Sequence, residues 1–217
     1  MISPLKSLLP KIKIILIFIN LFVICRGYAE NLKTGDLIFH ISGNSLFSQA
    51  ISSATSIPDS LDFDHVGIIE LIEEKVYIIE ASPEAGVRKI SLEKFLNENS
   101  GKNDSPTFIV KRLKKPIDFN KAIKLAYSHI GEDYDWWYLP ENGKMYCSEL
   151  VYECYLDSEG NKIFDATPMN FRAKDGTMPE FWKSLFDQIN APIPEGLPGT
   201  NPNDLSRSPL LRTVDYF

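Results

Sequence analysis

Thiols and imidazoles are scarce in this chain, which has three cysteines and three histidines among its 217 residues. The spacings of these residues match no zinc-binding motif, so we expect neither a metal site nor another cofactor. The chain also lacks internal repeats and low-complexity tracts. Its longest apolar run, residues 14–25, is shorter than the roughly 20 residues that a membrane-spanning helix needs.

Positive charge is also in short supply. The chain carries 23 Lys and Arg against 29 Asp and Glu, a net charge of −6, and no basic stripe stands out. A protein with this balance is a poor candidate for binding nucleic acid or an anionic membrane surface. We therefore expect no nucleic-acid partner.

The N-terminus has the pattern of a secretory signal. Its basic residues (Lys6, Lys11 and Lys13) precede the apolar run "IILIFINLFVIC" at 14–25, and a small-x-small site follows at Gly27-Tyr28-Ala29. We expect a signal peptide at residues 1–29 with cleavage after Ala29. The protein would then be exported to the periplasm or cell envelope, with a net charge of 19 − 29 = −10.

Two other interpretations of this segment stay open. An uncleaved segment could anchor the protein, and Cys25 could carry a lipid, although bulky Ile24 occupies a position where a lipoprotein signal prefers a small residue. Cleavage would leave residues 30–217, a suitable length for one domain with its own core and no stable membrane span.

Export would leave Cys147 and Cys154, which lie in "KMYCSELVYECYL" (144–156). Exported proteins usually pair their cysteines. If this segment is helical, the two residues lie about 10 Å apart along its axis, too far for a disulfide bond. Two unpaired thiols in an oxidising compartment indicate that at least one has a function.

The hydrophobic pattern predicts an α+β domain, a small antiparallel sheet packed with helices. Five segments read as strands: 34–42, 65–72, 75–82, 86–90 and 106–114. Four read as helices: 45–55, 91–99 with a cap at Ser91, 118–131 ended by Gly131, and the segment starting near Cys147. From residue 190 onward the chain is rich in Pro, Gly and Asn, and we predict a wrap or loop over the domain.

The position of Cys147 suits thiol catalysis, which needs a thiolate, a nearby base and a group that orients the base. A helix N-terminus lowers the pKa of a thiol through its dipole, and its free N–H groups can stabilise an oxyanion. Ser148 and Glu149 follow as first-turn residues suited to the positive end of that dipole. Cys154 falls in mid-helix on the apolar face, so we assign it to the core.

His65 is the strongest of the three candidates for the base. His129 lies near a predicted helix C-terminus, where an imidazolium is favourable without any catalytic role. His40 ends a strand and is explained by packing or surface exposure. His65 opens the strand "HVGIIEL", and Gly67 leaves its face of the sheet uncluttered.

The hairpin register selects a partner for His65. If Glu73 and Glu74 form a two-residue turn, His65 lies opposite Ser82, and Glu80 is one diagonal step away on the same face. Glu70 then points to the other face. A three-residue turn would reverse this assignment.

Several segments, in chain order, resemble a known family. They are "GDLIF" (35–39), "SQAIS" (48–52), "DHVGII" (64–69), "YIIEAS" (77–82), "GVRKISLEKFL" (86–96), "YDWWY" (134–138) and "YCSELV" (146–151). Together they are similar to the permuted papain-like amidases, the YiiX-like hydrolases related to NlpC-type cell-wall peptidases and to lecithin-retinol acyltransferase. The resemblance implies a circularly permuted papain-like fold with Cys147 as nucleophile, His65 as base and Glu80 as the third member.

Together with the secretory signal, the resemblance implies an exported cysteine hydrolase that cleaves an amide or ester bond through a thioester. The substrate would be a cell-envelope peptide, such as a cell-wall fragment, or an N-acyl molecule, including a lipid. An acyltransferase and a non-catalytic binding module stay open as alternatives. Side chains that could bind substrate or the oxyanion are Tyr146, Ser148, Gln49, Asp64 and Tyr134, although the aromatic stretch 134–138 is equally explained by packing.

Overall fold

The computed structural model describes residues 31–99 and 107–216, so the predicted signal at 1–29 lies outside the described residues. The strands within these ranges are β1 (Leu37–Ile41), β2 (Phe63–Ile72), β3 (Lys75–Ser82), β4 (Gly86–Ser91), β5 (Phe108–Leu113), β6 (Thr167–Pro168), β7 (Pro198–Gly199) and β8 (Leu211–Tyr216). The helices are α1 (Leu46–Thr55), α2 (Leu92–Asn99), α3 (Phe119–Ser128), α4 (Cys147–Cys154), α5 (Glu180–Gln188) and α6 (Pro202–Arg207). This confirms the predicted α+β class.

The main sheet is antiparallel, with the strand order β4-β3-β2-β1-β5-β8. Strands β6 and β7 form a separate two-stranded ribbon. The β2–β3 hairpin has the two-residue turn that the register argument required, because Ile72 pairs with Lys75. Glu73 adopts a positive φ of 49° there, although its residue type is poorly suited to a turn.

Each face of the main sheet packs against its own hydrophobic core. One core includes buried residues of α3, α4 and α5, among them Leu150 and Trp182. The other core lies under α2 and includes Phe95 and Phe108. Covering both faces lets the inner strands consist largely of apolar residues, as the runs in β2 and β3 show.

Most predicted elements are confirmed, with small differences at their ends. Ser91 caps α2 by accepting a hydrogen bond from the Lys94 N–H at 3.2 Å. Helix α3 ends at Ser128, before the predicted stop at Gly131. Within the two described ranges, no helix is long and apolar enough to cross a membrane.

The C-terminal segment is more regular than predicted. The Pro- and Gly-rich stretch that we interpreted as a wrap contains β7 and α6, and it ends in β8, which pairs with β5 at one edge of the main sheet. Helix α5, just before this stretch, was not predicted either. Local sequence patterns did not identify β8, because this strand depends on pairing with a strand about a hundred residues earlier.

Candidate active site

Cys147 is the first residue of α4, with Tyr146 as the preceding cap residue. Its side chain is buried, with 4% of the residue exposed. The first N–H groups of a helix have no acceptor within the helix, so those of Cys147 and Ser148 are suited to bind a developing oxyanion. Cys154 is the last residue of α4, not a mid-helix residue as predicted. It is buried in the core, and burial raises the pKa of its thiol to about 12.

His65 and Glu80 form a buried pair across the β2–β3 hairpin. The Nε2 atom of His65 lies 2.6 Å from the Oε2 atom of Glu80, and only 1% of Glu80 is exposed. The ring of His65 stacks on Phe95 of α2, with centroids 6.0 Å apart. These contacts fix both the position and the plane of the imidazole.

The Cys147 thiol lies close enough to the imidazole of His65 to raise the pKa of that ring. Since Glu80 occupies Nε2, the ring nitrogen that remains for the thiol is Nδ1. Burial alone would lower the pKa of His65, but the hydrogen bonds and charges of Cys147 and Glu80 outweigh burial and hold this pKa well above 6.5. The arrangement therefore favours an imidazolium beside the sulfur.

Arg88 holds the far side of the Glu80 carboxylate. It lies opposite Glu80 in the β3–β4 register, and its Nε donates to Glu80 Oε1 at 2.9 Å. Its Nη2 also binds Glu98 at 2.6 Å. Burial would raise the pKa of Glu80, but His65 and Arg88 together lower it, which keeps the carboxylate ionised. Sequence reasoning did not identify Arg88, although its place opposite Glu80 follows from the hairpin registers.

A second histidine–carboxylate pair, with Asp64 buried and His40 half-buried, lies beside the first. His40 pairs directly with His65 across β1 and β2, and its Nδ1 lies 2.6 Å from Asp64 Oδ1. The other oxygen, Oδ2, accepts the Gly43 N–H at 3.0 Å. Burial would raise the pKa of Asp64, but bonds from His40, Ser48 and Gly43 lower it. His40 is thus more than the packing or surface residue that we expected.

A β-bulge accounts for this arrangement. Ile41 pairs with Phe63 while His40 pairs with His65, so Asp64 is an extra residue in β2. Bulges re-aim side chains and are common beside active sites. Asn203 of α6 supports the irregular strand, because its buried Oδ1 accepts the Phe63 N–H at 2.8 Å.

Two cavities of different character lie at this site. The apolar cavity has a volume of about 60 Å³ and is lined by Cys147 together with Phe47, Ile51, Tyr134, Tyr138 and Trp182, among others. The polar cavity has a volume of about 620 Å³ and is lined by residues that include His40, Asp64, His65, Glu80, Glu84 and Arg88. Phe47 lines both cavities, so they adjoin at α1.

The C-terminal segment contacts the nucleophile helix directly. The Thr200 N–H donates to the Tyr146 hydroxyl at 3.1 Å, and the Thr200 hydroxyl lies 3.0 Å from that of Ser148. Tyr146 and Ser148 both line the apolar cavity, as predicted for substrate contacts, but their hydroxyl groups are engaged with Thr200. Tyr146 and Ser148 therefore form part of the cavity wall next to Cys147.

Gln49 and Asp64 are not suited to donate a hydrogen bond to an oxyanion. Gln49 is exposed, its amide donates to the Asn44 carbonyl at 2.9 Å, and it lines neither cavity. Asp64 lines the polar cavity, but an ionised carboxylate has no proton to donate to an oxyanion. Asp64 remains a candidate for substrate binding, because it lines the polar cavity.

The aromatic stretch divides between two environments. Tyr134 and Tyr138 are buried and line the apolar cavity beside Cys147, which supports the predicted groove. Trp136 instead packs against Phe47, with centroids 5.7 Å apart, and Trp137 lies under the Lys144 ammonium. Tyr134 and Tyr138 are therefore placed beside Cys147, whereas Trp136 and Trp137 have packing contacts.

Glu149 differs from the expected charge–dipole role. Burial and the nearby carboxylates of Asp135, Glu153 and Glu132 raise its pKa to about 8, although the bond from the Tyr146 N–H lowers it. Near neutral pH the group is mostly protonated, so it adds little negative charge close to Cys147. Glu149 contributes to the start of α4 by a hydrogen bond, because its Oε2 accepts the Tyr146 N–H at 3.3 Å.

Comparison with known proteins agrees with this geometry. The family model described as permuted papain-like amidase enzyme, YaeF/YiiX, C92 family, matches residues 31–215. The chain belongs to the permuted papain-like amidases. It is similar to the uncharacterised protein YiiX of Escherichia coli strain K12: the two are 25% identical over 202 residues, which cover 92% of this chain and 94% of YiiX.

The fold of this amidase-family member also matches a solved structure. A crystal structure of yiiX from Escherichia coli O157:H7, described as a metalloprotein, superimposes with a TM-score of 0.67 at 24% identity. The match covers 86% of this chain and 98% of that one. The permuted papain-like fold, with the cysteine helix after the histidine-bearing sheet, is thus confirmed.

The side chains at this site do not favour a metal ion. Within the described ranges, no group of three or more His, Cys, Asp or Glu side chains is arranged to hold one. The nearest donor set, His65, Glu80 and Cys147, contains a carboxylate that already receives the Arg88 guanidinium. A cation bound to Glu80 would compete with that guanidinium and be repelled by it.

Proposed function

We propose that the protein is an exported cysteine hydrolase that cleaves an amide or ester bond through a Cys147–His65–Glu80 triad. The observation that carries the proposal is the imidazole of His65, which interacts with the Cys147 thiol and lies 2.6 Å from the buried Glu80 carboxylate. Thiol catalysis needs a nucleophile, a base and an orienting group as neighbours in this order.

The reaction divides into acylation and deacylation. The Cys147 proton passes to His65, the thiolate attacks the carbonyl carbon, and the N–H groups of Cys147 and Ser148 stabilise the oxyanion. His65 then protonates the leaving nitrogen or oxygen, so that bond breaks and a thioester remains. Water, deprotonated by His65, attacks the thioester, which releases the acid and restores the thiol.

The substrate class is a cell-envelope peptide or an N-acyl molecule, bound in the cleft formed by the two cavities. The apolar lining around Cys147 supports an apolar group on the carbonyl side. The polar side chains around His65 support a polar group on the other side of the scissile bond.

Thiol reactivity tests the catalytic assignment. Iodoacetamide should label Cys147 far faster than Cys154 near neutral pH, and His65→Ala should abolish the difference; mass spectrometry of tryptic peptides measures both rates. Cys154→Ala is the matched control and should leave the Cys147 rate unchanged. Equal, slow labelling of the two thiols would indicate a non-catalytic module on the same fold.

Product analysis tests the reaction itself. Peptidoglycan fragments and N-acyl substrates should yield free amine with the wild type and none with Cys147→Ala. Products extended by an added amine or alcohol, in place of the free acid, would indicate acyl transfer. Sequencing the N-terminus of the protein from the cell envelope tests export, with Glu30 expected as the first residue.

A further inference from the structure

The two edges of the main sheet are covered to different extents. At one edge, the Val87 N–H of β4 donates to the Glu132 carbonyl at 2.8 Å, and the Val87 carbonyl accepts the Gly131 N–H at 2.9 Å. At the other edge, β8 pairs with β5 on one side only. Within residues 31–99 and 107–216, no main-chain group bonds to the outer side of residues 212–216. An open strand edge is a template for pairing with another strand.

A β-bulge places the two charged residues of β8 symmetrically about Thr213. In the register with β5, Arg212 lies one step before Thr213 and Asp215 lies one step after it. Asp215 is one step away because Val214 is an extra residue in this strand. Side chains two register steps apart point to the same face of a sheet, so the guanidinium and the carboxylate share one face.

These two charges have no ionic partner in the described part of the chain. Arg212 is exposed and Asp215 is half-buried. One oxygen of Asp215, Oδ1, accepts the N–H of Tyr216 at 2.9 Å, which leaves Oδ2 for another donor. Edges that resist pairing with a second copy commonly carry charges of one sign, whereas this edge carries one charge of each sign.

A twofold axis through Thr213 makes the outer edge of β8 complementary to itself. In a symmetric dimer, every contact between two different residues occurs twice. If two β8 strands run antiparallel with Thr213 opposite its own copy, Arg212 of each copy lies opposite Asp215 of the other. One register step further out, Leu211 lies opposite Tyr216, whose residue is 55% exposed in the single chain. The pairing thus combines two ion pairs with two apolar pairs.

We propose that β8 is the contact surface of a homodimer, in which two copies of this chain pair their β8 edges antiparallel about Thr213 and join their main sheets edge to edge. A second copy is the partner that the edge fits, because its charges and apolar side chains match their own twofold images. The edge of one short strand is a small interface, so the dissociation constant should be on the order of 100 µM. The proposal does not depend on the hydrolase activity.

Sedimentation velocity of the purified protein tests the proposal. From about 5 to about 500 µM, the protein should change from monomer to dimer. Arg212→Asp and Asp215→Arg each place like charges opposite each other twice, so each should weaken association about tenfold. The double substitution restores opposite charges and should restore the dimer. An equimolar mixture of the two single variants should also associate, because one then presents only carboxylates at these positions and the other only guanidinium groups.

Lys124→Asp, on the exposed face of α3, is the control for a change of charge elsewhere and should leave association unchanged. Circular dichroism of each variant checks that its fold is kept, and Asp215→Asn provides a milder variant that should weaken association by a smaller factor. A wild-type protein that stays monomeric up to about 500 µM overturns the proposal. A dimer that is equally stable in the wild type and in both single variants also overturns it, because such a dimer uses another surface.

Discussion

At the scale of single residues, the ionisation of His65 depends on its two partners. Its imidazole lies between the Cys147 sulfur and the Glu80 carboxylate, and both raise its pKa against the effect of burial. A protonated ring beside a thiolate is the reactive form of such a pair. The pH range of that form is therefore set by Glu80, a residue that does not touch the sulfur.

Glu80→Gln should shift this range. The substitution removes the anion but keeps the side-chain size, so the pKa of His65 should fall and the imidazolium should stabilise the thiolate less. The rate of Cys147 alkylation against pH, measured in a Cys154→Ala background, should therefore rise at higher pH than in the wild type. An unchanged pH profile of alkylation would remove Glu80 from the triad.

Glu149 should make stability depend on pH. Its folded pKa of about 8 exceeds the ordinary 4.5, so between these values the folded state binds more protons than the unfolded state. Stability from this group is full below about pH 4.5 and falls as pH rises towards 8, by at most about 1.4 kcal/mol per pH unit. Glu149→Gln should flatten that fall in urea unfolding series; an unchanged slope would contradict the raised pKa.

At the scale of secondary structure, α4 is buttressed by the strand-like segment around Thr200. The hydroxyl groups of Thr200 and Ser148 are both buried and 3.0 Å apart, so each satisfies the other. A buried polar group that loses its partner costs about 1–3 kcal/mol. The first turn of the nucleophile helix is thus tied to a segment about fifty residues later.

Thr200→Val should break this tie while keeping the shape of the side chain. We expect a loss of about 1–3 kcal/mol in the free energy of unfolding, measured in urea, because the Ser148 hydroxyl is left without a partner. The control is Thr213→Val in β8, whose side chain is exposed and should matter little. Equal effects of the two substitutions would show that the buried pair contributes nothing specific.

At the scale of the whole molecule, the chain end completes both the sheet and the site. β8 covers the edge of β5, and the segment between α5 and β8 supplies Asn203 to the bulged strand and Thr200 to α4. Contacts between distant parts of the chain therefore hold the bulged β2 and the start of α4 in place. The C-terminal segment is therefore part of the folded core structure and not a loose covering over it.

Truncation after Ser208 should test this dependence. It removes β8, exposes the open edge of β5 and uncovers core residues beneath it, so we expect lower solubility and a lower midpoint of thermal unfolding than for the full chain. Size-exclusion chromatography and circular dichroism measure both effects. A truncated protein that stays monomeric with an unchanged midpoint would show that the edge strand is dispensable.

The sequence predicted the parts of this molecule that local rules govern. Hydrophobic period, caps and the short hairpin identified β1 to β5 and four helices, and the hairpin register placed Glu80 beside His65 because side chains alternate strictly along paired strands. The helix that starts at Cys147 was predicted because apolar residues recur there every three to four positions, which places them on one helical face. Each of these depends on residues near one another in the chain.

Only the tertiary structure decided what depends on distant contacts. The bulge at Asp64, the His40–Asp64 pair, the guanidinium of Arg88 between Glu80 and Glu98, and the engagement of Ser148 by Thr200 all involve packing or long-range pairing. The size of the two cavities also belongs to this class. Sequence patterns determine which face of an element is buried, but the free volume and the ionisation of a buried group depend on which other elements cover that face.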